Sequence, residues 1–219
     1  MFNLFQQKHL SEYNPKLSRQ ELIRRSRILV IDDEKPKLID DLKTDCFYVD
    51  YDPTGDDTTK IEKNLYDLII LDFGEVGKKF GHDEGLSLLK HIKRVNPAAF
   101  VLAYTSKSLP AGQSDFYRLT NGTLSKDAGI QESFSKIEDA LRESLNVERI
   151  WTAVLELVIK NPDDKKELQA TLLKCLKKKK FDTLNEQLAH HVGETIKDTL
   201  VGVLVEKMIS LAMIGVVGV

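Results

Sequence analysis

A chain of 219 residues with 42% hydrophobic residues is long enough for one large domain, or for one compact domain with an appendage. Its formal net charge of −2 argues against a protein dedicated to binding nucleic acid. The two cysteines, Cys46 and Cys175, lack the paired spacing of a disulfide framework or a zinc site, which suits a reducing, cytoplasmic setting. Residues 1–26 are predicted to form a polar leader with one short helix, where Ser18 and Glu21 have the spacing of a capping box.

Between residues 27 and 146, β-rich and helical patterns alternate along the chain. This alternation predicts an α/β fold, a doubly wound parallel sheet of five strands with helices on both faces. The strands are predicted at residues 28–31, 47–51, 68–71, 100–104 and 123–124. The intervening helices are predicted at residues 36–43, 59–64, 86–95, 114–119 and 132–145.

After Asn146 the β-rich pattern ends, and residues 147–219 are predicted to be an all-α region. Helices are predicted at residues 148–160 and 165–179, and from residue 184 onward. The apolar stripe of the last helix predicts core packing or self-association, and therefore a homodimer. A membrane-associating tail is the alternative, although a stretch long enough to span a bilayer would include Glu206 and Lys207, at a cost of roughly 3 kcal/mol for each charge.

Two neighbouring strands of the predicted sheet end in carboxylates. Asp32 and Asp33 follow the apolar run at residues 28–31, and Asp72 follows the run at residues 68–71. Because the carboxyl ends of parallel strands meet at one edge of the sheet, we expect the three carboxylates to converge there. Like charges at such distances need a cation, a raised pKa or both, and oxygen ligands of this kind suit Mg²⁺.

The last two predicted strands place further polar groups at the same edge. The run at residues 100–104 is followed by Thr105, and the final strand leads to Lys126. A carboxylate flanked by Mg²⁺, a hydroxyl and an ammonium group is equipped for phosphoryl transfer. In this arrangement Asp72 is the nucleophile, and Thr105 and Lys126 bind the phosphoryl oxygens.

These motifs, in this order and at these spacings, resemble the receiver domain of two-component response regulators over residues 27–146. The matching segments are Ile31-Asp32-Asp33-Glu34, Leu71-Asp72, Tyr104-Thr105-Ser106 and Ser125-Lys126. The resemblance implies a flavodoxin-like, CheY-like fold and phosphorylation of Asp72 by a histidine kinase or a phosphotransfer protein. It implies Mg²⁺ with four ligands: Asp32, Asp33, Asp72 and the backbone carbonyl of Gly74. It implies no classical enzyme, but at most self-phosphorylation from a phosphodonor and autodephosphorylation.

The chain departs from the family pattern at two positions beside the lysine. Asp127 follows Lys126 where the family has a proline, and Thr123 stands where the family has an aromatic residue that responds to phosphorylation. The resemblance therefore implies that the chemistry is retained, while the aromatic response is missing or has moved to Tyr104 or Tyr117.

Four further motifs have competing interpretations. The loop at residues 78–84 is predicted to be a solvated surface loop, with a kinase contact or a gate as the alternative. A partial helix-turn-helix pattern precedes a helix predicted at residues 194–208, whose mixed charges disfavour DNA binding. Lys177–Lys180 is predicted to be a solvated helix end, with nucleic acid or an anionic membrane as the alternative contact. His190 and His191 are predicted to be an ordinary exposed pair, with the reactive histidine of a phosphotransfer helix as the alternative.

The predicted function is that of a cytoplasmic response regulator in which phosphorylation of Asp72 alters a helical output or dimerisation region, residues 147–219. Two alternatives fit the same sequence. One is a receiver-like scaffold that binds partners without phosphorylation, and the other is a membrane-associating effector regulated by the receiver.

Overall fold

The computed structural model describes residues 9–106, 114–193, 195–196 and 198–217. Within these ranges the chain forms two compact units. Leu17–Ser144 is an α/β unit, and residues 9–16 and 145–217 form a helical unit. The segment predicted as a leader, residues 1–26, is therefore divided between the two units, and its first eight residues lie outside the described part.

The α/β unit is built on five parallel strands in the order β2-β1-β3-β4-β5. The strands are β1 (Arg27–Ile31), β2 (Tyr48–Asp52), β3 (Leu68–Asp72), β4 (Val101–Thr105) and β5 (Gly122–Ser125). The central strands β1, β3 and β4 are almost wholly buried, which explains their continuous apolar runs. This strand order is the flavodoxin-like doubly wound arrangement, so the predicted fold class is confirmed.

The helices of this unit, within the described residues, are α1 (Arg19–Arg25), α2 (Lys37–Thr44), α3 (Thr59–Glu62), α4 (Gly85–Val95), α5 (Ser114–Leu119) and α6 (Ile130–Ser144). The predicted capping box starts α1, because the Glu21 amide donates to Ser18 Oγ and the Ser18 amide donates to the Glu21 carboxylate. Pro36 has an extended backbone and precedes α2. The amphipathic helix α4 buries Leu88 and Ile92, as its apolar spacing predicts.

The register of the strands determines which residues meet at the carboxyl edge of the sheet. β1 and β3 end side by side, because Ile31 is paired with Leu71. β4 and β5 end together in the same way, because Thr105 is paired with Ser125. The chain order reverses between β1 and β3, and open α/β sheets bind their ligands outside the carboxyl ends of the strands at such a point.

The helical unit differs from the prediction in its last third. It contains a turn of 3₁₀ helix (Leu10–Tyr13) and, within the described residues, α7 (Val147–Val158), α8 (Pro162–Lys178), α9 (Asp182–Val192) and α10 (Leu200–Val217). The prediction of one helix from residue 184 onward is wrong, because Gly193 ends α9 with a left-handed φ of 78° while its amide donates to the Ala189 carbonyl. The helix predicted at residues 194–208 begins only at Leu200, and its residues 194 and 197 lie outside the described part.

The apolar helix α10 packs within its own unit. Val205 and Met208 are buried, and the helix contacts α7 and the turn at Leu10–Tyr13. A Cβ atom at Gly215 would lie 2.5 Å from the Tyr13 carbonyl oxygen, so the helix approaches this backbone closely. None of the helices in the described ranges is long and apolar enough to cross a membrane.

The polar motifs of the helical unit lie on its surface. His190 and His191 are both exposed in the last turn of α9, in agreement with an ordinary exposed pair. Lys177–Lys180 is exposed at the end of α8, where cations interact favourably with the helix dipole. Contact of this basic run with nucleic acid or a membrane stays a prediction.

Candidate active site

Three carboxylates converge at the carboxyl ends of β1 and β3. Asp32 is buried, Asp72 is partly buried and Asp33 is exposed. One oxygen from each side chain lies within 4.8 Å of the others. Two hydrogen bonds hold Asp32 in place. Its amide donates to the Asp52 carbonyl, and its Oδ1 accepts from the Glu34 amide at 3.0 Å. The predicted convergence is therefore present, and its donor set of carboxylate oxygens fits Mg²⁺.

Lys126 lies between the two less exposed carboxylates. Its Nζ is 2.8 Å from Asp32 Oδ2 and 3.2 Å from Asp72 Oδ1. Both contacts are within the range of an ion pair. The Lys126 amide donates to the Thr105 carbonyl at 2.7 Å, which extends the pairing of β4 and β5 by one residue and aims the lysine at the site.

Burial and the charges of the cluster shift the pKa values of Asp72 and Lys126. Burial raises the pKa of Asp72, the ammonium of Lys126 opposes that rise and the carboxylate of Asp32 adds to it. Burial by itself would lower the pKa of Lys126, but the contacts with Asp32 and Asp72 together outweigh it and raise that pKa. One ammonium among three carboxylates leaves an excess of negative charge, which a divalent cation would relieve.

The hydroxyl group predicted at this edge is engaged by groups other than the carboxylates. Thr105 Oγ1 donates to the Ser106 carbonyl at 3.0 Å and accepts a hydrogen bond from the Tyr117 hydroxyl at 3.1 Å. Tyr117 is partly buried on α5, at some distance along the chain from the motif. The sequence suggested Tyr117 only as one of two places for an aromatic response, and it gave no sign of this hydrogen bond.

The ring of Tyr104 lies beside the site and contacts Lys126, a contact that the sequence did not predict. Tyr104 is buried, and Lys126 Nζ lies 5.3 Å from the centre of its ring, within the range of a cation–π contact. The residue directly precedes Thr105 on β4, and the strand pairing sets it opposite Asp72 and Leu124. The ring therefore forms an apolar wall beside the lysine.

The start of α4 packs directly on the end of β3. The Gly85 amide donates to the Phe73 carbonyl at 2.9 Å, and a Cβ atom at Gly85 would lie 2.5 Å from the carbonyl oxygens of Asp72 and Phe73. Glu84, just before it, has φ 48° and ψ −119°, a conformation that is costly for a residue with a side chain. The Glu84 carboxylate accepts a hydrogen bond from the Glu75 amide at 2.9 Å, and this bond connects the start of α4 to the loop after β3. Sequence reasoning missed Gly85, whose only signal was a glycine at the start of a helix.

The loop predicted at residues 78–84 contains a turn of 3₁₀ helix at Lys78–Phe80. Phe80 turns back onto α4, where its ring centre lies 4.4 Å from that of His91. Gly74, the predicted carbonyl ligand, follows Phe73 in a partly buried position, and no atom of the described residues beyond its chain neighbours lies within 4 Å of a Cβ atom placed on it. Its role as a metal ligand stays a prediction.

A cavity of about 430 Å³ opens beside the site. Its lining includes Asp32, Leu38, Tyr104, Lys126 and Ile130. The Ile130 side chain is 51% exposed, although it is a large apolar group at the start of α6. Of the three clustered carboxylates, Asp32 lines this cavity, whose walls are both polar and apolar.

The strand order and the position of this cluster at the reversal point between β1 and β3 decide the fold. This unit has the fold of a receiver domain. The sequence matches no protein-family model and no curated protein.

Similar solved structures include several receiver domains. A CheY-like receiver domain from Methanospirillum hungatei JF-1 is 19% identical, with 54% of this chain and 95% of that chain covered and a TM-score of 0.47. A two-component response regulator from Clostridium difficile is 24% identical, with 54% and 97% covered and a TM-score of 0.46. NtrX from Brucella abortus, in complex with ATP, is 22% identical, with 69% and 34% covered and a TM-score of 0.49. These likenesses concern the fold alone.

Proposed function

We propose that this chain is a response regulator of a phosphorelay, which accepts a phosphoryl group on Asp72 in a Mg²⁺-dependent reaction. The observation that carries the proposal is the surroundings of Asp72. One of its carboxylate oxygens lies within 4.8 Å of an oxygen of Asp32 and of an oxygen of Asp33. Lys126 Nζ lies 3.2 Å from Asp72 Oδ1. This combination of a nucleophile, a cation site and a fixed ammonium serves phosphoryl transfer.

The residues of the site have separate roles in this proposal. Mg²⁺ would be held by Asp32, Asp33, Asp72 and the Gly74 carbonyl. When bound, it would neutralise the charge on the phosphoryl oxygens. A carboxylate oxygen of Asp72 attacks the phosphorus, a P–O bond forms, and the P–N bond of a phosphohistidine donor breaks. The leaving imidazole nitrogen takes up a proton from water. Lys126 and Thr105 bind oxygens of the attached phosphoryl group.

The donor in this proposal is a histidine kinase or a phosphotransfer protein. The exposed Ile130 supports it, because this residue lines the cavity beside Asp32 and Lys126 and offers an apolar contact to such a partner. The helical unit is the output or dimerisation region of the same proposal, with a homodimer as the assembled form and the cytoplasm as the setting. Any catalysis is limited to self-phosphorylation from a small phosphodonor and autodephosphorylation.

A labelling experiment tests the proposal. The purified chain is incubated with Mg²⁺ and ³²P-labelled acetyl phosphate, and label stable to gel filtration is counted. We expect incorporation that Asp72→Asn abolishes, that EDTA prevents and that hydroxylamine removes, since an acyl phosphate is cleaved by this nucleophile. Asp56→Asn, which changes an exposed aspartate of the loop after β2, is the matched control and should label like the wild type. Absence of label from the wild type, or equal label in Asp72→Asn, would overturn the proposal.

A receiver-like scaffold that needs no phosphorylation is the second candidate. The observation that favours it is the ion pair of Lys126 with Asp32 and Asp72, which partly neutralises the cluster without a metal. The two candidates differ in ligand binding. A phosphorylatable receiver binds Mg²⁺ and, with it, beryllofluoride, a stable mimic of the phosphoryl group; a scaffold of this kind binds neither.

A further inference from the structure

A second cavity, with positive charge on its walls, lies between α4 and the loop after β3. It has a volume of about 270 Å³ and is lined by Phe80, Ser87, Lys90, His91 and Arg94. The four lining residues of α4 follow the spacing i, i+3, i+4, i+7, so they share one face of the helix. Within the described residues this lining contains no carboxylate, and it shares no residue with the cluster of three carboxylates.

A chain of hydrogen bonds through His91 holds the guanidinium group of Arg94 in place. Arg94 Nη2 lies 3.0 Å from His91 Nδ1, and because a guanidinium group only donates, this ring nitrogen is the acceptor. The proton of the ring is therefore on Nε2, which lies 3.2 Å from Thr58 Oγ1. The Thr58 hydroxyl in turn donates to Glu62 Oε1 at 2.7 Å. The bond to His91 uses one donor of Arg94 and fixes the direction of the others.

The aromatic wall of the cavity comes from the loop after β3. The ring centre of Phe80 lies 4.4 Å from that of His91, and the two rings are tilted by 33°. The loop also passes close to the start of α4, because a Cβ atom at Gly81 would lie 2.7 Å from Ser87 Oγ. The cavity therefore has an apolar side, formed by the Phe80 ring, and a polar side formed by residues of α4.

The two cations of the cavity are available to an anion. In the described part of the chain neither Lys90 nor Arg94 forms an ion pair with a carboxylate, and both side chains are exposed. Arg94 reaches back by one turn to His91, as long side chains on helices do, so its charge lies nearer the start of α4. Ser87 belongs to the first turn of that helix, where the partial positive charge of the helix start also favours an anion.

The donors of this cavity fit a phosphate group better than a carboxylate. Arg94 supplies a planar fork, Lys90 a point charge and Ser87 a hydroxyl group. A phosphomonoester presents three terminal oxygens, one for each of these groups, whereas a carboxylate presents only two. The volume of the cavity is just below the range of roughly 300–1,000 Å³ that holds drug-sized ligands, so its occupant should be small.

We propose that this cavity binds a small phosphomonoester, with the phosphate on Arg94, Lys90 and Ser87 and the apolar body against Phe80. The inference is separate from the proposed phosphorylation of Asp72, because no residue of the carboxylate cluster takes part. Binding involves no covalent step, and the ligand keeps its phosphate. A ligand in this position contacts both α4 and the loop after β3, so it should hold the two together.

A titration of the full ¹⁵N-labelled chain with phenyl phosphate tests this inference. The buffer contains EDTA, so that no metal at the carboxylate cluster attracts the anion. We expect saturable shifts of the amide resonances of Phe80 and of residues 87–94. Arg94→Gln should weaken binding by about tenfold, the loss of one charge-assisted hydrogen bond, and Lys90→Gln by about threefold. Lys43→Gln, which changes an exposed lysine on α2, removes the same charge and should bind like the wild type.

A further variant and a further ligand separate this site from a general attraction of anions. Arg94→Lys keeps the charge but loses the planar fork, so it too should weaken the binding of phenyl phosphate. Benzoate carries the same ring on a carboxylate, and it should bind more weakly than phenyl phosphate because it offers one oxygen fewer. Incorporation of label from acetyl phosphate is an independent readout of the proposed function, so the two proposals can fail separately.

Several results would overturn the inference. These are an absence of saturable shifts in the wild type, wild-type affinity in Arg94→Gln, and equal affinity for benzoate and phenyl phosphate. Shifts centred on Asp32, Asp72 and Lys126 would place the anion at the carboxylate cluster instead. Tighter binding of a phosphotyrosine peptide than of phenyl phosphate would assign the cavity to a protein partner, and the small-molecule occupant would be wrong.

Discussion

The ammonium of Lys126 lies closer to Asp32 than to Asp72, at 2.8 Å against 3.2 Å. In the proposed function, Lys126 binds oxygens of the phosphoryl group on Asp72. The lysine of the free protein instead neutralises the buried member of the acidic pair. A divalent cation bound in the proposed site would therefore compete with the ammonium for the same carboxylates.

This competition predicts the behaviour of Lys126→Met. The substitution removes a positive charge beside the proposed metal site, so the affinity for Mg²⁺ should rise by about tenfold. Retention of the phosphoryl group should fall at the same time, because its oxygens lose a charged partner. Titration with Mg²⁺ by calorimetry measures the first effect, and label remaining after a fixed time measures the second. Lys90→Met, an exposed lysine on α4, is the control; an unchanged Mg²⁺ affinity in Lys126→Met would mean that the lysine does not oppose the metal.

The raised pKa of Asp72 predicts that Asp72→Asn stabilises the metal-free protein. A carboxyl group whose pKa is higher in the folded state binds protons more strongly there, so folding loses stability as the pH rises through the unfolded and then the folded pKa. At pH 7 the full penalty is present, and the neutral amide removes it. We therefore expect the free energy of unfolding in urea to be higher for Asp72→Asn than for the wild type at pH 7.

The pH and metal dependence of that gain identify its cause. The advantage of Asp72→Asn should disappear as the pH falls below the unfolded value of about 3.9, where both states are protonated. Mg²⁺ should stabilise the wild type and not Asp72→Asn. Asp57 provides the opposite case, since hydrogen bonds from Thr59 lower its pKa, and Asp57→Asn should not stabilise the protein. A gain at pH 7 that remains at low pH would show that charge is not responsible.

The contact of Gly85 with β3 predicts a sensitivity that reaches the site. Gly85→Ala places a methyl group 2.5 Å from the carbonyl oxygens of Asp72 and Phe73, so one of the two elements must move. Overpacking of this kind costs about 1–3 kcal/mol, and displacement of the end of β3 should also weaken Mg²⁺ binding. Gly129→Ala is the control, because in the part of the chain that the structure describes no atom beyond the chain neighbours lies within 4 Å of the added group. Urea unfolding and Mg²⁺ titration of both variants check this prediction, which fails if Gly85→Ala retains wild-type stability and metal affinity.

The sheet and the converging residues could be predicted because both depend on local sequence. An apolar run of four or five residues followed by a carboxylate, as at Asp32 and Asp72, marks a buried parallel strand and its carboxyl end. All such ends meet at one edge, so the residues after them become neighbours without any knowledge of the packing. Thr105 and Lys126 follow from the same rule.

The remaining features depend on groups that are distant in the sequence. The hydrogen bond from Tyr117 to Thr105 requires the position of α5, and the role of Gly85 requires the distance between two backbones. The break between α9 and α10 depends on the left-handed backbone of Gly193, while the neighbouring residues continue an amphipathic pattern. A single glycine in a helical pattern is compatible with a continuous helix, so the sequence left open both a continuous helix and the turn of a partial helix-turn-helix pattern.

The close approach of α10 to the turn at Leu10–Tyr13 provides a test of whether this apolar helix packs within its unit or associates with a membrane. Gly215→Val adds bulk where a Cβ atom would lie 2.5 Å from the Tyr13 carbonyl oxygen, so it should destabilise the packing of α10 by about 2 kcal/mol. Trp151, the only tryptophan, is buried in α7, which α10 contacts, and its emission reports the loss. We expect its red shift at a lower urea concentration in Gly215→Val.

Ser210→Val is the matched control for this substitution. It adds a similar volume on the same helix at an exposed position, and it should unfold like the wild type because nothing is displaced. The two variants raise the apolar character of α10 in the same way. A tail used for membrane association would gain vesicle binding equally in both, whereas a packed helix is damaged only by Gly215→Val. Equal urea midpoints for the two variants would therefore argue against packing of α10 on Leu10–Tyr13.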